Sequence, residues 1–278
     1  DIQIPLPSLA EQQALVDAYN HNLQQATELE QKAENGEKEI EEIVNGKLGL
    51  IKPMNKHGKT LPRLQFINYK DTLSRWDPFN VQQGITSSYP IHPLKDIITS
   101  IRTGTTPSTS HKEYFNGNIK FYTPADIGTS MYLTDAERSL AQPALAAKKV
   151  RLFYKGELLF VGIGSTVGKI GIVSDQSVSS NQQITGFSVD STLVSPEFVY
   201  CYMHCNKDIT TTERTKTTIP VVNQEKIEQI PIPLPPLDVQ AEIVAVVQEQ
   251  RAKIAECKTT AATLRQEAVA QFEQAIFE

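Results

Sequence analysis

Two stretches of this chain are near copies of each other. Ile2-Gln3-Ile4-Pro5-Leu6-Pro7-Ser8-Leu9 stands at the start, and Ile230-Pro231-Ile232-Pro233-Leu234-Pro235-Pro236-Leu237 stands near the end. Each leads into a long stretch with a helical pattern, so the chain carries an internal repeat of a Pro-rich extended segment followed by a long helix. The prolines hold the approach extended and cannot continue a helix backwards. Ser8-Leu9-Ala10-Glu11 has the form of a capping box, which places the first helix start at Ser8. Apolar or small residues then recur at Val16, Tyr19, Leu23, Ala26, Ala33, Ile40 and Ile43, with Leu29 filling part of the gap between Ala26 and Ala33. Asn45-Gly46 is the expected stop, and Gly36 is an expected bend point. The second helix has a cleaner seven-residue pattern through Ile243, Val247, Gln250, Ile254, Cys257, Ala261, Leu264, Ala268 and Ala275. Neither helix is apolar all round, so each needs one face covered. The spacing predicts that helices over 8–44 and 237–277 pair as an antiparallel coiled coil.

Between the helices the texture changes. Short apolar alternations are broken by Gly, Pro, Thr and Ser, with strands expected at 93–98, 119–122, 157–163, 171–174 and 183–189 and a helix over 195–206. The predicted fold class is α+β, with one mixed α/β domain and the two long helices. The expected divisions are 1–46, a Pro-rich strand end and first helix; 47–79, a basic linker; 80–229, the mixed domain; and 230–278, the second helix.

Charge restricts how such a chain meets partners. The net charge is −5, which argues against simple bulk attraction to nucleic acid. Its distribution is uneven. Positions 75 to 225 carry 14 Lys and Arg against 13 Asp and Glu, so the middle is near neutral and the acid lies mainly on the first helix. From Gly46 to Arg75 the balance reverses, with Lys47, Lys52, Lys56, Lys59, Arg63, Lys70 and Arg75 against Asp71 alone. Such a stretch suits either a solvated linker or contact with phosphates. No apolar run approaches the ~20 residues that span a bilayer, so no membrane association is expected. Three cysteines, Cys201, Cys205 and Cys257, are too few and too uneven for a disulfide framework, and a cytoplasmic location is expected. The chain opens inside a repeat unit without Met, which suggests a piece of a longer protein.

Several motifs invite a catalytic reading and fail it. Gly162-Ile-Gly164-Ser-Thr-Val-Gly168-Lys169 resembles a phosphate loop, but the interval is one residue too long and Ile170 replaces the hydroxyl that would hold magnesium. Its expected role is a tight β-turn. Cys201 and Cys205 fall one helical turn apart with no second half of a metal site, so buried helix cysteines are expected and no metal. Asp77-Pro78-Phe79 lacks the second proline of an amino-methylation motif, and no Gly-rich cofactor loop precedes it. No cofactor and no catalytic residue is expected.

The central phrases and the repeat together resemble the specificity subunit of type I restriction-modification systems. They are Ser100-Ile-Arg-Thr-Gly104-Thr-Thr-Pro107, Gly117-Asn-Ile-Lys-Phe-Tyr-Thr-Pro124-Ala-Asp126, Lys155-Gly156-Glu-Leu-Leu-Phe160, Gly164 to Lys169, Asn181-Gln182-Gln183-Ile184, and Ile230 to Val244. Trp76-Asp77-Pro78 looks like the start of such a recognition domain. The resemblance implies a non-catalytic subunit that reads one half of a split site in double-stranded DNA. It implies that the helices act as a ruler and dock methyltransferase subunits, with a translocating nuclease subunit joining indirectly. Family members carry two recognition domains and this chain carries one, so it is either the C-terminal half of a full subunit or a half-sized form that pairs with itself. A recognition region of a fused restriction–methylation enzyme and a plain coiled-coil adaptor are the alternatives. A near-neutral reader depends on hydrogen bonds to base edges as well as on phosphates. The expected DNA-binding residues are Thr105, Thr106, Ser108, Lys112, Ser165, Lys169, Asn181, Gln182, Gln183, Arg214, Lys216 and Thr217, with Ser110 as a further donor and with Tyr114 and Tyr122 stacking or packing. Gln182 is the favoured base reader, with Thr105 and Thr106 on a neighbouring loop, while Thr123-Pro124 and Asp126 are expected to form a structural turn.

Overall fold

The computed structural model describes residues 8–52, 85–128, 130–212 and 219–277. The first Pro-rich copy, most of the basic linker, His57, Trp76-Asp77-Pro78 and the candidates Arg214, Lys216 and Thr217 lie outside the described residues. The chain divides into two compact units, Asp1–Val44 with Glu242–Glu278, and Asn45–Ala241.

Helix α1 (Leu9–Leu48) and helix α6 (Leu237–Phe277) build the first unit. The capping box forms as the sequence predicts. Glu11 accepts from the Ser8 N–H and hydroxyl at 2.8 Å each, and the Ser8 Oγ lies 3.4 Å from the Glu11 N–H. The pairing is antiparallel, because positions that rise along α1 meet positions that fall along α6. The Tyr19 and Phe272 rings lie 5.5 Å apart, Glu30 takes two bonds from Arg265 at 2.8 and 2.9 Å, and Glu37 lies 3.8 Å from Lys258. The seam follows the expected stripe at Ala26, Ala33 and Ile40, but Val44 is buried in place of the expected Ile43. Ala26, Ala33, Ile40 and Val44 are buried on α1, and Ile243, Val247, Ile254, Ala261 and Ala268 on α6. Four of these nine are alanines. Gly36 is not a break in α1: it is a buried notch, where an added Cβ would sit 2.8 Å from Ile254 Cγ1. Val16, read as part of the stripe, is exposed. The stop also differs from expectation. The helix runs through Gly46 to Leu48 and ends where Gly49 takes φ +55°, with Leu50 N–H bonded to Asn45 O and Gly49 N–H to Gly46 O. This is a Schellman closure three residues beyond the Asn-Gly signal.

The second unit is a pair of sheets with short helices on their outer sides. One sheet has the order β2-β10-β7-β8-β4 and is antiparallel except at β4, which runs parallel to β8. Its strands are β2 (Ile98–Thr103), β4 (Tyr132–Leu133), β7 (Leu158–Val161), β8 (Ile170–Val173) and β10 (Ile184–Val189). The other has the order β5-β3-β9-β6, built from β3 (Phe115–Tyr122), β5 (Arg138–Leu140), β6 (Leu152–Tyr154) and β9 (Ser177–Ser180). Alternation along β3 explains its place: Ile119 and Phe121 pack with Leu140 on one face, and Tyr122 enters the main core on the other. That main core joins the sheets through Tyr122, Leu133, Phe153, Leu159, Val161, Val173, Val178 and Ile184. Strand β7 is buried along its whole length, which is why it reads as an unbroken apolar run.

The second Pro-rich copy is itself a strand, β11 (Pro231–Pro233), paired antiparallel with β1 (Ile91–Pro93). Prolines are tolerated there because a two-stranded pair has free edges. The expected strand at 93–98 is therefore the end of β1 and a 3-10 turn, and β2 begins only at its last residue. Helices α2 (Gln142–Ala146), α3 (Pro196–Cys205), α4 (Lys207–Thr210) and α5 (Gln224–Glu228) complete the unit. Helix α3 matches expectation and is buried from Phe198 to Met203; Cys201 is a buried helix cysteine as expected, whereas Cys205 at the last turn is only partly buried. The first turn of α6 is tied into this unit by Gln240, fully buried, which accepts from Ser195 N–H at 2.9 Å and donates to Leu193 O and Pro235 O at 2.9 Å each.

Candidate functional site

Three segments of the second unit converge beside the β7–β8 hairpin. The first is the turn after β2. There Gly104 lies against β9 so closely that an added Cβ would fall inside contact distance of Ser180 Oγ and the Asn181 carbonyl. Only a residue without a side chain allows this approach, and it brings Thr105 and Thr106 beside Asn181 and Gln182. Thr105 N–H bonds Ser180 O at 3.0 Å, and Thr106 Oγ1 donates to Gln182 Oε1 at 2.5 Å. Thr106 and Gln182 are both exposed, so the expected neighbouring loop and the expected amide share one patch of surface.

The second segment is the false phosphate loop. Residues 162–169 join strand β7 to strand β8, so the loop delivers no helix N-terminus to a phosphate. It is held as a turn: Gly168 N–H and Val161 O lie 3.0 Å apart, and Val161 N–H reaches Lys169 O at 2.8 Å. Gly162 and Gly164 bond across to Gln183 O, Pro220 O and Val222 N–H, which fastens this loop to its neighbours. The third segment is the turn after β3. Asp126 accepts from Thr123 N–H and Thr123 Oγ1 at 2.7 Å each and from Glu137 N–H at 3.0 Å. Thr123-Pro124 and Asp126 are thus the structural turn the sequence suggests.

The second and third segments, Asn181 and Gln183 after β9, and Glu137 and Arg138 at β5 enclose an open cleft of ≈ 520 Å³. Of the expected residues, Ser165, Lys169, Asn181 and Gln183 line it, and Lys169 Nζ donates to Pro124 O at 3.3 Å. The amides of the cleft largely satisfy each other. Asn181 Nδ2 donates to Gln183 Oε1 at 3.0 Å, Asn181 Oδ1 accepts from Gln183 N–H at 3.1 Å, and Gln183 Nε2 donates to Ile163 O at 3.4 Å. Gln182 sits outside the cleft, on the Thr106 side; the segment is not extended as expected but a turn closed by Ile184 N–H to Asn181 O at 3.2 Å. Thr105 Oγ1 is turned to Lys149 O at 3.2 Å. Ser108 pairs with Ser110 at 2.7 Å, and Lys112 is exposed in a short 3-10 turn. None of Thr105, Ser108 and Lys112 lines the cleft. Tyr114 stacks on His111 at 4.8 Å, whereas Tyr122 is buried and packs. Sequence reading missed Thr166 and Arg138. Thr166 lay inside a quoted motif; Arg138 reaches the cleft only through the pairing of β5 with β3.

A charged pair ties β2 to the residue before β7 in one sheet, and its arginine also reaches β6 of the other sheet. Arg102 on β2 donates to Glu157 at 2.6 Å and to Leu152 O at 2.8 and 3.0 Å, and its guanidinium lies 4.9 Å from the Phe153 ring centre. Glu157, 7% exposed, also accepts from Tyr154 N–H and Ser188 Oγ. Every charged atom has partners, which is the condition under which such burial is tolerated.

Comparison with known proteins places this geometry. The family described as type I restriction modification DNA specificity domain matches residues 89–264. The specificity subunit of the type I restriction enzyme MjaIX of Methanocaldococcus jannaschii is 26% identical over 170 residues, which cover 59% of this chain and 38% of that protein. Among solved structures, the HsdS subunit from Thermoanaerobacter tengcongensis superposes with a TM-score of 0.52 at 17% identity, covering 98% of this chain and 60% of that one. The S subunit of a type I restriction-modification system from M. genitalium gives 0.53 at 14% identity, covering 98% and 62%. The chain thus spans about three fifths of the length of these solved subunits.

Proposed function

This chain belongs to the type I restriction modification DNA specificity domain family, and on that premise we propose that it recognises one half of a bipartite site in double-stranded DNA. The observation that carries the reading is the extent of the family match, which takes in the two-sheet unit, the Pro-rich strand and most of α6. In this reading the two-sheet unit is the target-recognition domain. The long helices are the scaffold on which methyltransferase subunits dock, and a translocating nuclease subunit joins through them. The chain itself is non-catalytic and works in the cytoplasm. The surface patch of Thr106 and Gln182 reads base edges in the major groove, where a carboxamide matches adenine. Lys112, Ser165 and Lys169 contact the backbone, as do Arg214 and Lys216. Thr105, Ser108, Asn181 and Gln183 shape or flank that surface, and Thr217 is a further DNA contact in this reading. The near-neutral charge of the domain agrees with reading by hydrogen bonds rather than by bulk attraction.

The test is methylome sequencing of cells that carry the parent system, with the native region 85–236 and with that region replaced by the corresponding region of a relative. One half of the methylated motif should change and the other half should persist. An unchanged motif would exclude this domain as a reader.

A further inference from the structure

We propose that the cleft beside the β7–β8 hairpin seats a phosphodiester of the DNA backbone and so positions the duplex without reading it. This rests on the DNA-recognition reading above and divides the surface into a positioning cleft and a reading patch.

The argument is the balance of donors and acceptors. Lys169 keeps two N–H groups after its bond to Pro124 O. Arg138 is exposed at the cleft wall, and its guanidinium has no partner among the described residues. The Ser165 and Thr166 backbone N–H groups have no partner among the described residues, and their hydroxyls add two more donors. The groups suited to reading a base, the Asn181 and Gln183 amides, bond mainly to each other and to Ile163 O. Asp126, which would repel an anion, lies under two donors of its own turn and the Glu137 N–H. Among the described residues Glu137 is the one carboxylate on the wall, set against two cations. A base edge presents both donors and acceptors, whereas a phosphate presents acceptors alone. A wall of unengaged donors matches the phosphate. The ≈ 520 Å³ of open space also leaves room for the adjoining sugar.

The experiment measures binding of the full chain, assembled with its partner subunits, to its target duplex and to single-base variants of it over a range of salt. Arg138→Ala and Lys169→Ala should each weaken every duplex alike and flatten the plot of log K against log salt by about 0.9. The charge-conserving Arg138→Lys and Lys169→Arg should keep the slope, and thermal melts of all four variants separate lost contacts from lost folding. A loss confined to one base position would make these residues readers and overturn the proposal. So would unchanged affinity and slope in the alanine variants while the wild type binds normally. If the wild-type assembly binds no duplex at all, the recognition reading itself fails.

Discussion

Gln182 is exposed, stands outside the cleft and is held by Thr106 at 2.5 Å, a geometry that fixes its carboxamide and leaves its Nε2 hydrogens for a partner. Gln182→Ala should relax preference at one base position by about 1–3 kcal/mol and leave other positions nearly untouched. Binding to a panel of single-base variants checks this, and an equal loss on every duplex would reassign the residue to positioning. Gly104 acts one step earlier, on the shape of the site. A methyl group there collides with Ser180 Oγ and the Asn181 carbonyl, so Gly104→Ala should cost about 1–3 kcal/mol in denaturant unfolding. Undiminished stability would mean the two segments can part freely. Three tyrosines give a pH signature. Burial pushes Tyr122 up to about 12. Burial, then the hydrogen bond to Glu197, does the same for Tyr132, and burial raises Tyr202 further. A raised pKa means the folded state favours the neutral phenol, so the stabilisation is full below about 10 and is lost as pH rises from 10 through 12. Ultraviolet titration should show late-ionising phenols coinciding with alkaline unfolding, and Tyr122→Phe should remove part of that sensitivity. Titration of all nine tyrosines near pH 10 in the folded protein would contradict the assignment.

At the scale of elements, the long helices depend on their seam more than on their charges. Ile254 fills the notch at Gly36 and is almost fully buried, so Ile254→Ala leaves a void and should cost about 2–5 kcal/mol. A clear fall in Tm is expected, and an unchanged Tm would place the seam on another face. The Glu30–Arg265 pair is half-exposed, so Glu30→Gln should have a small effect that fades with salt. These helices were legible beforehand because a seven-residue pattern, a capping box and a terminal glycine are all local signals. The helix stop was misplaced because Asn45-Gly46 and Gly49 carry similar local signals, and only the chain path after Leu48 selects the later one. The strands β2, β5, β6 and β9 were not foreseen. Their residues, such as Ser177 to Ser180 or Arg138 to Leu140, are polar or too few to show alternation, and they become strands by pairing: β2 with β10, β5 and β9 with β3, and β6 with β9.

At the scale of the whole molecule, the chain is proposed to work through partners. Purified alone it should neither transfer methyl groups from S-adenosylmethionine to DNA nor cut DNA, and methyl transfer free of partner subunits would refute the non-catalytic reading. The sequence by itself determined the repeat, the two long helices with their seam, the mixed domain between them and the family, because each is written in short-range pattern or in ordered phrases. It also singled out Lys169, Asn181, Gln182 and Gln183 as residues of one surface. The tertiary structure alone decided which of them face together. Segments far apart in the chain meet at Gly104 and Gly162, the turn between β9 and β10 leaves Gln182 outside the cleft and Asn181 and Gln183 on its wall, and sheet pairing carries Arg138 to that wall. Such meetings depend on strand order and register, which long-range packing sets and no local window of the sequence records.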